Sequence, residues 1–423
     1  ILRHFGAIEY GTLELALSLI PLLSIFMLPG LDSLVVADMG VHRSKGDLSR
    51  ARGVLSSFFI LQMMLALFAW AILFFAADVF AGLYHVPIHY VRMASVFFLL
   101  SPIRTMYGVL FRVHLLFFHQ SLLTFLEEAS KLLLLGLFFL VLNVGIVGVL
   151  VAMVGSQVFA LAALSPSAAR LWRDLRGGDP GVTAWWSFLW GRGAWSILGA
   201  YLSNAGRSVR LLIIQYVLGK EAVGLYAVAL GLIGHTIALV PLSSVIAPML
   251  PQYAHDREHF TRLLNKAMKY QFIAYFGVGS LGFFAFPTII TFLFPAYAAA
   301  MPLFQIMLLG LLPVAFISVL TPAFFALKLQ KSFFFSILFK TAVSFVFTYV
   351  LIILFGIWGL AYEYTLTSLV YGLERLRNLR KPVPGVSISH TYLFSFDNDD
   401  RLLLGKIIPF LRKTAYSYGK NNE

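Results

Sequence analysis

The sequence predicts an all-α polytopic membrane protein written as two copies of one plan, and three observations predict it. First, 60% of the 423 residues are hydrophobic, only 12% are charged, and mean hydropathy is +0.85. No water-soluble domain has that balance. Second, the apolar residues come in unbroken runs of about 20 residues or more, the length of a membrane-spanning helix. They do not alternate with period two, as the strands of a membrane barrel do. Third, the glycine punctuation recurs. Gly6-Ala7-Ile8-Glu9-Tyr10-Gly11 heads one apolar run and Gly219-Lys220-Glu221-Ala222-Val223-Gly224 heads another, at an offset of 213. Gly145-Ile146-Val147-Gly148 and Gly356-Ile357-Trp358-Gly359 open two later runs at an offset of 211. Two pairs at nearly one offset indicate duplication.

In chain order the predicted spans are 12 to 37, 54 to 80, 90 to 111, 121 to 142, 145 to 165, 186 to 218, 222 to 250, 267 to 294, 298 to 327, 332 to 355 and 357 to 373, eleven in all. Six of them separate the two Gly-xxxx-Gly turns, and an even number returns the chain to the same side of the membrane. The copies are therefore parallel, related by an axis along the membrane normal. A span precedes Gly219, but only Ile1 to Phe5 precede Gly6, so the expectation is two six-helix bundles with the first helix missing from this chain. The organisation expected is an N-terminal bundle over 1–172 with five of its six helices, a cytoplasmic linker over 173–185, a C-terminal bundle over 186–378 and a cytoplasmic tail over 379–423. The tail is polar, acidic at Asp397 to Asp400, and its apolar stretch Leu402 to Leu411 is long enough only for an interfacial helix.

Basic residues orient the chain. Arg43, Lys45, Arg50, Arg52, Arg112, Arg170, Arg173, Arg176, Arg192, Arg257, Arg262, Lys266, Lys269, Lys328 and Lys331 fall on one side, and Arg3, Arg92 and Lys220 on the other. The positive-inside rule makes the first side cytoplasmic. The net charge of +13 follows from that topology and from attraction to anionic lipid, with no nucleic acid implied. The absence of Cys excludes disulfides, thiolate catalysis and cysteine-based metal sites.

The stretch Arg210-Leu211-Leu212-Ile213-Ile214-Gln215-Tyr216-Val217-Leu218-Gly219-Lys220-Glu221-Ala222-Val223-Gly224-Leu225-Tyr226-Ala227, followed by Pro241 and Pro248, resembles the seventh and eighth helices of polysaccharide biosynthesis flippases. These O-antigen-type oligosaccharide flippases belong to the multidrug/oligosaccharidyl-lipid/polysaccharide exporter superfamily. Phe5 to Gly11 resembles their first loop, and the likeness extends loosely to residue 373, as in twelve-helix members. Arg210 stands where members often carry Asp. The resemblance implies a V-shaped pair of bundles around a central cavity, rocking between inward-open and outward-open states. The implied substrate is an oligosaccharide on undecaprenyl pyrophosphate, moved across a bacterial inner membrane. Membrane lipids and other polysaccharide assembly proteins are the implied partners, with no cofactor, no catalysis, and coupling to protons or sodium ions.

A pyrophosphate crossing hydrocarbon needs cationic company. Arg207 and Arg210 share one helical face, and Arg210 lies eight residues before Gly219, about 12 Å along a helix. They are read either as cations of the cavity wall or as side chains snorkelling to head groups. Arg104 follows Pro102 in mid-span, with a role in the cavity or in pairing with a carboxylate. These three are the expected substrate-binding set. Arg112 reads as an interfacial anchor.

Glu128 and Lys131 either neutralise each other at i, i+3 or serve a gate, because adding 212 to Glu128 reaches Lys340, an opposite charge at the equivalent position. Glu363, Asp32 and Asp38 are further carboxylates for ion coupling. His235 reads as a packing residue, and Trp185, Trp186, Trp190 and Trp195 as an interfacial belt.

A membrane-embedded polymerase or glycosyltransferase would need acidic or His residues in a sizeable aqueous loop. The largest outward loop, Phe286 to Pro302, has none. A drug/cation antiporter would favour carboxylates in its cavity, against Arg104, Arg207 and Arg210. A lipid II flippase stays open as a reading.

Overall fold

The computed structural model describes residues 5–44, 47–140, 142, 144–175, 192–240, 242–247, 250–253 and 256–386. Trp185, Trp186, Trp190, most of the expected linker and the acidic and apolar parts of the tail lie outside the described residues. Each predicted span lands on one helix or one interrupted helix. The first copy runs α1 (Ala7–Leu22), α2 (Leu31–Ser44), α3 (Leu48–Phe75), the short α4 (Ala77–Tyr84), α5 (Ile88–Val113), α6 (Phe117–Leu140) and α7 (Ile146–Asp174). The second runs α8 (Arg192–Leu218), α9 (Lys220–Ala238), the short α10 (Leu242–Ile246), α11 (Arg257–Leu293), α12 (Ala300–Leu309), α13 (Leu311–Ala326), α14 (Gln330–Phe355) and α15 (Trp358–Arg380).

Six of the described helices, α3, α5, α7, α9, α11 and α14, are long and apolar enough to cross a membrane alone, and the bent pair α12 and α13 makes a seventh. The remaining spans are the broken α1 and α2, and α6, α8 and α15, which carry the intrahelical charges of interest. Phe75, Phe118, Phe284 and Phe292 are each more than 70% exposed; such a coat of bare aromatic side chains is stable only against lipid.

Two spans read as single from the sequence are interrupted in both copies at matching places. The 12 to 37 run breaks between Leu22 and Leu31, where Leu28 (φ 50°) and Gly30 (φ 84°) flank Pro29. The 222 to 250 run breaks after Ala238; in the sequence Pro241 follows, 212 residues beyond Pro29. A side chain mends each break. Gln62 Nε2 donates to the Met27 carbonyl at 2.8 Å, and Gln271 Nε2 donates to the Val240 carbonyl at 3.2 Å. Both glutamines are buried. Inside a membrane, interrupted backbone persists only where protein or an aqueous cavity satisfies it. The 298 to 327 run is likewise two helices, bent by 55° at Gly310. By contrast Pro102 leaves α5 continuous.

The repeats meet where the duplication was first legible. A Cβ added to Gly11 would collide with the Lys220 carbonyl, and one added to Gly224 would collide with the Ala7 carbonyl. Residues 7 and 11 stand in the same relation to 220 and 224 as 220 and 224 do to 7 and 11, so α1 and α9 cross in a self-complementary contact, as about a two-fold axis. Only glycine permits that approach.

Packing is uneven along the bundle. At the end away from the basic loops, one cluster combines both copies, including Leu15, Leu19 and Tyr84 with Val223, Tyr226 and Tyr297. Tyr297 also donates to the Phe5 carbonyl at 3.0 Å. At the basic end the cores are separate. One holds Leu31, Leu55, Phe111 and Leu164 with Ile197 as its contribution from the second copy; the other holds Phe260, Leu264, Phe324 and Leu379, all from the second. The two bundles are thus joined at one end and part toward the basic end, with α8 keeping a seam along the broken α1 and α2. The first residues assigned to a tail belong to this core: Val383 and Val386 are buried, and Arg257 and Asn265 donate to the Pro382 and Gly385 carbonyls at 2.9 and 3.1 Å.

Candidate functional site

The second copy holds a cavity of about 370 Å³ between α8, α9, α14 and α15. Arg207 and Arg210 come from α8, one turn apart. Lys340 and Ser344 come from α14, one turn apart again, and Tyr364 closes the side formed by α15. Gly231 and Gly234 also line it with open space where a side chain would stand, leaving backbone accessible to a bulky ligand.

Arg210 is the best-held of the cations. Its guanidinium lies 3.5 Å from Glu363, donates to the Tyr226 hydroxyl at 3.0 Å and contacts Ser344 Oγ. Glu363 is fully buried and accepts from Ser344 at 2.7 Å and Thr367 at 3.0 Å. A buried ion pair keeps its charge only when hydrogen bonds surround it; Ser344, Thr367 and Tyr226 supply some of them, while Arg210 Nε and Glu363 Oε2 are buried without a hydrogen-bond partner. Arg207, on the same face, is exposed to the cavity. Lys340 lies 5.2 Å from the centre of the Tyr371 ring, a cation–π distance. The cavity thus carries Arg207, Arg210 and Lys340, and among the described residues one carboxylate, Glu363 behind the wall, is paired with Arg210.

A polar stripe continues down α15 toward the basic end. Glu363, Thr367, Tyr371 and Arg375 recur every four residues, on one face. Arg375 is buried, 4.5 Å from the ring centres of Phe333 and Tyr371, and contacts Thr321 Oγ1. That spacing was visible in the sequence; the aromatic box around Arg375 was not, because Phe333 comes from a different helix.

Other expected residues fall elsewhere. Arg104 does not join Arg207 and Arg210. It lines a first-copy pocket of about 420 Å³ and pairs with Glu127 at 2.9 Å. Its side chain is 43% exposed, whereas the buried charges among the described residues are Glu363, Lys269 and Arg375. Glu128 pairs with Lys131 on its own helix at 2.6 Å, and among the described residues no ion pair joins it to Lys340. In this structure the intrahelical alternative holds and the cross-copy gate is not formed. Asp38 lies 3.7 Å from His42 on the same helix. Arg112 is no bare anchor, because it pairs with Asp32 at 2.8 Å. His235 is exposed, where packing was expected. Trp195 lies against Phe334 and Phe335 with Lys331 over its ring. Among the described residues no group of three or more His, Asp or Glu is placed to hold a metal ion.

The sequence pattern of the polysaccharide biosynthesis protein family matches residues 2–254, three-fifths of the chain. The chain belongs to the polysaccharide biosynthesis protein family. No curated protein matches this family member's sequence, but solved structures match its fold. It is similar to a multidrug resistance MATE family transporter of the MOP superfamily in its inward-facing conformation, at TM-score 0.73 and 15% identity, over 91% of this chain and 94% of that one. It is also similar to the lipid II flippase MurJ in an inward closed conformation, at TM-score 0.72 and 14% identity, over 99% of this chain and 95% of that one. A MOP superfamily transporter from Pyrococcus furiosus, described as having a binding pocket of reversed polarity, matches at TM-score 0.64 and 15% identity, over 90% and 89%. An outward-facing MATE transporter matches less well, at 0.61 and 14% identity, over 90% and 86%. This polysaccharide biosynthesis family protein therefore has the MOP transporter fold, and the cavity that holds Arg207, Arg210 and Lys340 is lined by helices of the second copy.

Proposed function

We propose that the protein is a flippase that carries an oligosaccharide linked to undecaprenyl pyrophosphate across the bacterial inner membrane by alternating access. The observation that carries this reading is the set of cations in a cavity between helices: Arg207, Arg210 and Lys340 line it with no carboxylate among its described lining residues, and Glu363 behind the wall is paired with Arg210. Retaining guanidinium and ammonium groups at membrane depth is costly unless an anion or water meets them. A diphosphate supplies two negative charges and acceptor oxygens that suit the guanidinium fork. The same set disfavours a cationic drug as substrate.

In this reading the basic end faces the cytoplasm, so the arrangement is open inward. The lipid enters laterally and its diphosphate displaces the cavity's balance of charge. Arg210 then exchanges part of its interaction with Glu363 for the ligand. Coupling to a proton or sodium ion is assigned to Glu363, the buried carboxylate that this exchange leaves uncompensated.

The test is polymer export in a strain lacking its own flippase, normalised to protein in the membrane. Replacing Arg207 and Arg210 with Lys should leave partial export, Ala little and Glu none. Undiminished export by the Arg207, Arg210 and Lys340 triple-Ala variant would refute the reading.

A further inference from the structure

We propose that the first-copy pocket at the break between α1 and α2 is a second subsite of the same ligand, one that binds the hydroxyl groups of its sugar. The proposal rests on the flippase reading above and divides the ligand between the copies. The pocket is about 420 Å³ and is lined by the broken backbone at Met27 to Pro29 and by Gln62, Arg104, Arg112 and Gln120.

Its charges are already spent. Arg104 pairs with Glu127 and Arg112 with Asp32, and Arg112 Nε also donates to the Gly108 carbonyl at 3.1 Å. What remains unmet is neutral. The side-chain oxygens of Gln62 and Gln120 are buried and accept no hydrogen bond, and Gln62 is 2% exposed. A buried carbonyl oxygen without a donor is costly, and the ligand that matches it is an O–H or N–H donor of no net charge. A sugar ring presents several such donors on one face; a second diphosphate presents none.

The other copy shows what the empty place takes. Counting 209 residues on from Gln62 and Ala66 gives Gln271 and Tyr275. Gln271 repairs its helix break as Gln62 does, and the buried Tyr275 brings a hydroxyl to that break, donating to the Ile237 carbonyl at 3.4 Å. In the first copy Ala66 stands at the matching position and supplies no hydroxyl, and the Gln62 side-chain oxygen beside the break is left without a donor.

The two subsites are neighbours. Asn204, beside the cavity-lining Ser203 and three residues before Arg207, donates to Ser24 Oγ at 3.3 Å, and Ser24 is three residues before Met27. Two such steps along helical backbone span roughly 10 Å, within reach of one diphosphate and the sugar attached to it.

The experiment measures binding of two probes to the purified protein in lipid nanodiscs: undecaprenyl pyrophosphate, and the same lipid bearing one N-acetylglucosamine. The wild type should bind the sugar-bearing lipid about tenfold more tightly, the effect of a pair of ordinary neutral hydrogen bonds. Gln62→Leu with Gln120→Leu should abolish that preference while leaving affinity for the bare lipid unchanged. Gln120→Leu alone leaves the bond that mends the helix break intact and should still lower the preference severalfold. Arg207→Ala with Arg210→Ala should weaken both probes equally. Equal wild-type affinity for the two probes, or a preference untouched by the Gln120 change, overturns the sugar subsite. Failure of the bare lipid to bind, or its indifference to the arginines, overturns the flippase reading instead.

Discussion

Placing one methyl group at the helix crossing provides a sharp test of how the copies are joined. In Gly224→Ala the new Cβ falls on the Ala7 carbonyl, and in Gly11→Ala it falls on that of Lys220. The new Cβ would stand 2.0 to 2.1 Å from the carbonyl oxygen and ordinary contact begins at about 3.5 Å, so α1 and α9 must part by about 1.5 Å. The listless alternative of rotating a flexible side chain away does not exist, because both obstacles are backbone. Overpacking of this kind costs about 1–3 kcal/mol, charged to the joined-end state alone. A loss of about 2 kcal/mol changes the ratio of two conformations roughly thirtyfold. The readout exploits the absence of Cys: a single Cys at cavity position Ser203 is alkylated in intact cells by an impermeant reagent. Either Ala variant should raise its labelling from outside. Since both methyl groups force apart the same crossing, the double variant should fall well short of the sum of the two. Unchanged labelling in both single variants, at normal protein levels, would refute the idea that this crossing holds the bundles together.

Three further outcomes follow from the geometry. Arg210→Met leaves Glu363 buried without its guanidinium and should destabilise the solubilised protein by about 3–5 kcal/mol, while Arg210→Met with Glu363→Gln should recover most of that loss in a thermal unfolding assay and still fail to export polymer. Arg112→Ala, whose pair with Asp32 is about a third exposed, should cost under about 1 kcal/mol; a larger loss by the same assay would show that the pair supports the helix break. Asp47 and Asp256 cap α3 and α11, and hydrogen bonds from the Arg50 and His259 backbone N–H groups hold their carboxyls below the ordinary range. Their folded-state values being lowered, the stabilisation is complete at neutral pH and is lost as pH falls through the folded values; against Asn variants, the difference in melting temperature should shrink only under acidic conditions.

The fold was legible because membrane helices declare themselves by length and apolarity, and because the repeated Gly-xxxx-Gly turns carry Gly11 and Gly224, which mark a contact that tolerates no other residue. The interruptions of α1 and α9 were not read, although Pro29 and Pro241 stand at the repeat offset; hydropathy averages over a break that a buried glutamine repairs from another helix. Of the site, the Arg207 and Arg210 face was visible from spacing alone. Lys340 was found by its repeat position but given a partner, Glu128, that sequence distance could not test and that Lys131 occupies. The pairings of Arg210 with Glu363, Arg112 with Asp32 and Arg104 with Glu127 join residues 153, 80 and 23 positions apart, which only packing decides. Ser344 and Thr367 carried a weaker signal, each four residues beyond a charge.

The most direct measurement is translocation by the purified protein in liposomes, scoring how fast undecaprenyl-pyrophosphate-linked oligosaccharide becomes accessible to a glycan-cleaving enzyme on the opposite side. The wild type should move the lipid, the Arg207, Arg210 and Lys340 triple-Ala variant should not, and restoring charge with Lys at 207 and 210 should return part of the rate. Equal rates for wild type, triple-Ala variant and protein-free liposomes would contradict the account.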